Sequence, residues 1–210
     1  MKLELPRIYP ITDTRLSGLS HTEQVAQLLN GGARFIQLRE KHLSPAEFYA
    51  DAIEAVRLAH SHEAKIIIND RVDIAIAVGA DGVHVGQDDL PPAEVRTLLG
   101  PNAIIGFSSH SREQVLAALD LPINYLAFGP VFPTKTKDDP DRVVGLTELA
   151  AIRKLLSGMP LVAIGGINEQ NVADVIRSGA DAAAVVSALY SDHDAMGETY
   201  SLLLNQVKTL

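Results

Sequence analysis

The sequence predicts an α/β fold: an eight-stranded parallel (β/α)8 TIM barrel in a single domain over residues 1–210. Three observations predict it. Eight short apolar runs, rich in Ile, Val and Ala, recur along the chain, and amphipathic stretches separate them. Each run stops at a polar or glycine-rich cluster, and these clusters stand after the runs rather than before them. Hydrophobic residues make up 47% of the chain, yet aromatics are only 5% and tryptophan is absent. Such aliphatic packing suits a parallel sheet filled on one side and covered by helices on the other. A length of 210 residues suits one domain and lies at the small end for this barrel. The carboxyl ends of barrel strands share one rim, where active sites form, so residues scattered along the sequence converge there.

The first run, residues 8–11, ends at Thr12 and Asp13. Residues 35–38 end at Arg39, Glu40 and Lys41, and residues 66–68 at Asn69, Asp70 and Arg71. Residues 82–85 lead into Gly86, Gln87, Asp88 and Asp89, and residues 103–107 into Ser108, Ser109 and His110. Residues 125–128 meet Gly129 and the stretch 134–137, residues 161–164 meet Gly165 and Gly166, and residues 183–186 meet Ser187. Strand starts are expected near 8, 34, 65, 82, 103, 125, 161 and 183.

Helical stretches fill the gaps. Residues 22–29 set Val25, Ala26, Leu28 and Leu29 on one side. Ser44, Pro45 and Glu47 spell a helix start: a capping serine, a proline in the first turn, a glutamate three residues on. That helix runs through Phe48, Ala52, Val56 and Ala59. Further helices are expected over 71–77 before Gly79, 91–99 before Gly100, 111–119, 147–156, and 168–177 before Gly179. Gly31, Gly79 and Gly179 each stand before a strand, where a turn with φ > 0 suits glycine. The charged, proline-containing segment 135–145 reads as a mobile flap over the rim.

The chain has no cysteine, which excludes disulfides, thiolate catalysis and cysteine-ligated metals and fits a reducing cytosol. A formal net charge of -8 argues against a nucleic-acid footprint, which needs a basic patch. Local cations still permit anionic small molecules. No apolar run approaches the roughly 18 residues of a membrane helix, and the first residues lack the apolar core of a signal peptide. The expectation is a soluble cytoplasmic protein with small-molecule partners, no nucleic acid and no membrane; assembly as a homo-oligomer is left open.

Asp70 follows the third strand and Asp89 the fourth. Neighbouring strands lie about 5 Å apart, so both carboxylates reach one ion. Oxygen-only ligands without His or Cys favour Mg2+. Capping of the next helix is the competing reading for Asp70, and for Asp88 or Asp89. Arg39, Lys41 and Lys137 make a cationic surface for phosphate or pyrophosphate. An ordinary solvated lysine is the simpler reading of Lys135, and Lys41 can pair with Glu40 or Asp13 instead. Thr134 and Thr136 add hydroxyls. Gly165 and Gly166, with Val186 and Ser187, end strands seven and eight, where barrels hold phosphate on backbone N–H groups. Tight turn geometry alone is the alternative there. His110 is placed as a general acid or base. His84 is expected to face core or helix, and His21, His42, His60 and His62 to be surface or helix-edge residues. Ser108 and Ser187 lack a paired base and read as ligand hydrogen-bonders.

Together, Tyr9 to Asp13 (YPITD), Gln37 to Lys41 (QLREK), Asn69 to Arg71 (NDR), Ala80 to His84 (ADGVH), Gly86 to Leu90 (GQDDL), Pro133 to Lys137 (PTKTK) and Ala163 to Ile167 (AIGGI) closely resemble the thiamine phosphate synthase family. The match covers nearly the whole chain in order, and the series is far more specific than any one motif. The resemblance implies two phosphate substrates. Gln37, Leu38, Arg39, Glu40, Lys41, Asn69, Ser108 and Lys137 would hold 4-amino-2-methyl-5-hydroxymethylpyrimidine diphosphate, with Arg39, Lys41, Ser108 and Lys137 assisting catalysis. Asp70 and Asp89 would bind Mg2+ on the diphosphate. Thr134, Lys135, Thr136, Gly166, Val186 and Ser187 would hold the hydroxyethyl-methylthiazole phosphate or its carboxy form.

The implied reaction is dissociative and needs no protein nucleophile, in keeping with the absence of a nucleophilic triad. Phe107, where a smaller aliphatic residue is expected, departs from the pattern and would alter pocket shape. The related thiazole tautomerase, an isomerase on the same barrel, is one rival; a non-catalytic barrel that binds a phosphate ligand and regulates a partner is another. The joint presence of Arg39, Lys41, Asp70, Asp89 and Lys137 favours the synthase over the tautomerase; release of pyrophosphate separates it from the binding barrel.

Overall fold

The computed structural model describes residues 3–134, 136, 141–190 and 195–210. Among them eight strands close a barrel in sequence order: β1 (Ile8–Asp13), β2 (Phe35–Arg39), β3 (Lys65–Asn69), β4 (Gly82–Val85), β5 (Ile104–Ser109), β6 (Tyr125–Phe128), β7 (Leu161–Ala163) and β8 (Ala182–Val185). All neighbours run parallel, and closure is made by β8 on β1, with Tyr9 opposite Ala184. The expected strand starts agree with the observed ones to within a residue. Helices form the outer ring: α1 (Thr14–Ser17), α2 (His21–Asn30), α3 (Pro45–Ser61), α4 (Val72–Val78), α5 (Pro92–Leu99), α6 (Arg112–Ala118), α7 (Gly145–Leu155), α8 (Val172–Arg177) and α9 (Met196–Val207). No helix among the described residues is long and apolar enough to cross a membrane.

Two apolar layers hold this arrangement. Ile8, Ile36, Leu38, Ile66, Ile68, Val83, Ile105 and Leu126 pack between sheet and helices. Tyr9, Ile11, Phe35, Ile67, Ile104, Tyr125 and Val162 fill the barrel interior. The alternation follows from the two-residue period of a strand, and each fully buried aliphatic side chain contributes about 1.5–3 kcal/mol. It corrects two readings. Leu38 and Phe107 both belong to the helix-facing layer, so neither side chain shapes the pocket.

Local chemistry sets the helix ends. Ser44 and Glu47 form the expected capping box with Pro45 in the first turn. A second box, Ser20 with Glu23, starts α2. Gly79 (φ 67) and Gly179 (φ 102) take the left-handed conformation, but Gly31 (φ -73) does not. Its lack of a side chain serves a close approach instead: a Cβ on Gly31 would lie 2.3 Å from the Gly197 carbonyl oxygen at the start of α9. The expected helix over 168–177 begins only at Val172, because Asn171 folds the preceding residues into a turn by accepting from the Asn168 N–H at 2.9 Å. Of the expected flap, Lys135 and residues 137–140 lie outside the described residues. Its far end is anchored: Val144 N–H donates to the Pro130 carbonyl at 2.9 Å.

Candidate active site at the carboxyl rim

On the β2–β4 side, charged groups meet in pairs. Asp13 at the end of β1 lies opposite Arg39 at the end of β2, and Arg39 Nη1 donates to Asp13 Oδ2 at 2.5 Å. The other Asp13 oxygen caps α1 through Leu16 N–H at 3.0 Å, so a helix N-terminus holds the carboxylate that holds the arginine. Lys41 pairs with Asp70 rather than with Glu40 or Asp13. Asp70 adopts φ 58, rare for a non-glycine residue. The competing reading of these aspartates as helix caps fails: α4 and α5 have no side-chain cap.

Asp89 and Asp70 lie close enough for their carboxyl groups to interact. Burial and then the Asp70 charge push the Asp89 carboxyl up, against the Gly86 N–H that donates to it at 2.7 Å. Two oxygen donors in mutual repulsion beside a lysine fit a hard divalent cation that takes its remaining ligands from water or phosphate. Among the described residues no third acidic or histidine group joins them.

Glu40 faces away from this cluster. Burial opposes its ionisation, but His21, the Thr14 hydroxyl and the N–H groups of Leu43 and His42 outweigh burial and hold it well below the usual carboxylate range. Thr14 Oγ1 donates to it at 2.6 Å and His42 N–H at 2.6 Å. Glu40 therefore shapes the loop that carries Lys41. His21 is fully buried, with Nδ1 2.7 Å from Thr12 Oγ1 and Nε2 3.3 Å from Glu40. The surface position expected for it is overturned because α2 packs its first turn inward.

Strand alternation turns Gln37, Arg39, Asn69 and Ser108 into the barrel. Below the rim they meet Tyr9, Tyr125 and His84, the last of which was expected to face core or helix. Gln37 Nε2 donates to Tyr9 Oη at 3.0 Å, Tyr9 Oη lies 3.0 Å from Tyr125 Oη, and Tyr125 Oη lies 3.0 Å from His84 Nδ1. His84 Nε2 is 2.8 Å from Ser108 Oγ. His84 thus faces the interior of the barrel, and burial lowers its pKa to about 4, which keeps it neutral. It stacks on Tyr125 at 5.5 Å, across Gly106 of the intervening strand. Tyr9 and His84 stand two residues from inward-facing Ile11 and Gly82, so the period of two was the available signal.

On the β6–β8 side the backbone dominates. Gly165 (φ 100) and Gly166 (φ 64) need their left-handed conformation and also lie against the loop after β6. A Cβ on Gly166 would sit 2.5 Å from the Pro133 carbonyl oxygen. Phe132 N–H donates to Gly165 O at 3.0 Å, which sets Thr134 beside the glycines. The Thr136 N–H donates to Thr134 Oγ1 at 3.3 Å. Val186 is half-buried, and Ser187 is exposed at the first position of a short 3-10 turn, Ser187–Tyr190. His110, beyond β5, bonds through Nδ1 to the Gly129 carbonyl at 2.8 Å and lies 3.5 Å from Asp141. Lys135 and Lys137, the remaining predicted contacts, lie outside the described residues.

Known proteins share this sequence and fold. A family model described as thiamine monophosphate synthase matches residues 8–189. The chain is 47% identical over 189 residues to a thiamine-phosphate synthase of Chloroflexus aurantiacus, covering 90% of this chain and 87% of the relative. It is 43% identical over 196 residues to one from Persephonella marina, covering 93% of each. A solved thiamine phosphate pyrophosphorylase from Pyrococcus furiosus superposes with a TM-score of 0.87 at 38% identity, over 96% of this chain and 95% of that one. An eight-stranded barrel with polar residues gathered at its carboxyl rim is common to many enzymes, but the family match spans all eight strands, and the chain belongs to the thiamine monophosphate synthase family.

Proposed function

We propose that the chain is a thiamine-phosphate synthase that joins 4-amino-2-methyl-5-hydroxymethylpyrimidine diphosphate to 4-methyl-5-(2-hydroxyethyl)thiazole phosphate or its carboxy form, releasing pyrophosphate, in a single domain over residues 1–210. The observation that carries the reading is the Lys41, Asp70 and Asp89 cluster beside Arg39 on the β2–β4 side of the rim. The Thr134, Thr136 and Gly166 cluster stands across the barrel, since β3 and β7 are diametrically opposed in a closed order of eight. One anion site built on charges and one built on backbone suit two phosphate-bearing substrates.

In this reading Asp70 and Asp89 hold Mg2+, which bound there supplies positive charge to the diphosphate. Arg39, Lys41 and Lys137 bind its outer oxygens, where negative charge grows as it departs. The C–O bond to the pyrimidine methylene breaks with its electron pair leaving on pyrophosphate. The thiazole nitrogen lone pair then forms the new C–N bond. Gln37, Asn69 and Ser108 orient the pyrimidine. Thr134, Lys135, Thr136, Gly166, Val186 and Ser187 hold the thiazole phosphate, and Glu40 and Leu38 support the β2 end from behind. No protein group is alkylated, and His110 is not called on as an acid or base. A cytoplasmic site of action fits these substrates and the cysteine-free sequence.

The deciding measurement is pyrophosphate release from folded protein given both substrates and Mg2+. Stoichiometric release with thiamine phosphate is expected. Absence of release in a protein with the native circular dichroism spectrum would leave only a binding role.

A further inference from the structure

Five polar groups stand in single file from the barrel interior to its rim: Gln37 Nε2, Tyr9 Oη, Tyr125 Oη, the His84 ring and Ser108 Oγ, joined by contacts of 3.0, 3.0, 3.0 and 2.8 Å. Tyr9, Tyr125, Gln37 and His84 are all buried, so water does not share these protons. Each hydroxyl and the neutral imidazole has one proton to give, and a buried proton needs an acceptor within the file, so the direction of one bond sets the direction of the next.

The amide N–H of Gln37 can only donate. Tyr9 Oη accepts it and gives its own proton to Tyr125. Tyr125 gives its proton to His84 Nδ1. His84 then carries its proton on Nε2 and donates it to Ser108 Oγ. The Ser108 proton is left for an acceptor at the rim, on the side of the barrel where Asn69, Asp70 and Asp89 stand.

We propose that this file is a polarised relay that makes the Ser108 hydroxyl a committed hydrogen-bond donor to the anionic leaving group, with Tyr9, Tyr125 and His84 as positioning residues. The identity of the acceptor rests on the synthase reading; the polarity of the file does not. Gly106 is part of the device. It lies between His84 and Tyr125 in register, and a Cβ there would fall 2.4 Å from His84 Nδ1 and 2.3 Å from Tyr125 Oη. Only glycine lets the two rings meet. A rotor free to donate or accept would spend part of its time with a lone pair toward an oxyanion; a committed donor is preorganised, which is what stabilises developing charge.

Two measurements test this. The first needs no substrate: nitrogen NMR of the native protein carrying labelled histidine, at neutral pH, with the His84 signals assigned by their loss in His84→Gln. The expected form has a pyrrole-type Nε2 and a pyridine-type Nδ1. The opposite tautomer overturns the proposal, whatever the protein catalyses. The second is kinetic. Tyr125→Phe removes the donor to His84 Nδ1 and should lower kcat about three- to tenfold, with KM for the pyrimidine diphosphate changed less. In a Ser108→Ala background the same substitution should cost nothing further, since the relay acts only through Ser108. An equal loss in both backgrounds marks Tyr125 as merely structural and overturns the proposal.

Discussion

Replacing Gly106 by alanine puts the packing of the barrel interior to a quantitative test. Strand propensity alone predicts a gain of about 0.5–1 kcal/mol from removing a glycine. The structure predicts a loss. The new methyl would lie 2.1 Å from Tyr125 Cζ, 2.3 Å from Tyr125 Oη and 2.4 Å from His84 Nδ1, where ordinary contacts stand at about 3.5–4.0 Å. One ring must retreat by more than an ångström. Tyr125 cannot do so freely, being edge-packed on Tyr9 at 6.0 Å and Phe35 at 6.5 Å. Overpacking costs about 1–3 kcal/mol, and the displaced ring loses a buried hydrogen bond at about 1 kcal/mol. The net expectation is a loss of about 2–4 kcal/mol, or roughly 5–15 °C in Tm for a domain of this size. Thermal and urea unfolding followed by circular dichroism measure it. A Tm equal to or above that of the parent protein would refute the reasoning, because the sign alone separates the two accounts.

Other expectations follow from the same geometry. Asp89→Ala should cost turnover roughly a hundredfold, while thiazole phosphate affinity, measured calorimetrically, changes little; equal losses would defeat the metal assignment. Burial holds His84 near 4 against an ordinary value of 6.5, so the unfolded chain binds the extra proton first and stability falls as pH drops from 6.5 toward 4. The full difference amounts to about 3 kcal/mol, and urea midpoints across this range should slope in the parent and flatten in His84→Gln; a flat parent profile would contradict it. Gly166→Ala, with its Cβ 2.5 Å from Pro133 O and a left-handed φ of 64, should raise KM for the thiazole phosphate more than for the pyrimidine diphosphate. A matched rise in both would argue against two separate anion sites.

The strand positions, the rim and most of the charged site were legible because they depend on order along the chain. Apolar runs ending in Asp13, Arg39, Asn69 and Asp70 mark strand ends whatever the packing details. What escaped depends on which way a side chain points. In a parallel barrel both faces of a strand are buried, so hydropathy does not tell Leu38, toward the helices, from Gln37, toward the interior. Phe107 was misjudged for the same reason. His21 was placed at the surface or a helix edge, yet Asp51 of α3 draws the helix start inward by accepting from His21 N–H at 2.6 Å and Thr22 N–H at 3.0 Å. Gly31 was explained by its dihedral angle when the cause is contact with Gly197, more than a hundred residues away in sequence. Such contacts leave no local pattern.

In the proposed function the two anion sites differ in kind, and the difference bears on how the barrel interior is built. Lys41, Asp70 and Asp89 sit on loops after β2, β3 and β4, and Thr134 and Gly166 on loops after β6 and β7. Loops alone do not fix a distance across the barrel to the fraction of an ångström that an aligned displacement needs. The groups between them are strand residues: Gln37 on β2, His84 on β4, Ser108 on β5 and Tyr125 on β6, tied to Tyr9 on β1. These bonds cross five of the eight strands, and each strand is clamped to its neighbours by the ladder. A substrate ring resting on this floor inherits its position from the rigid sheet, while the loops need only grip the phosphates. On that account, interior substitutions such as Tyr125→Phe should appear in kcat, and substitutions in the backbone-built site, such as Gly166→Ala, in KM.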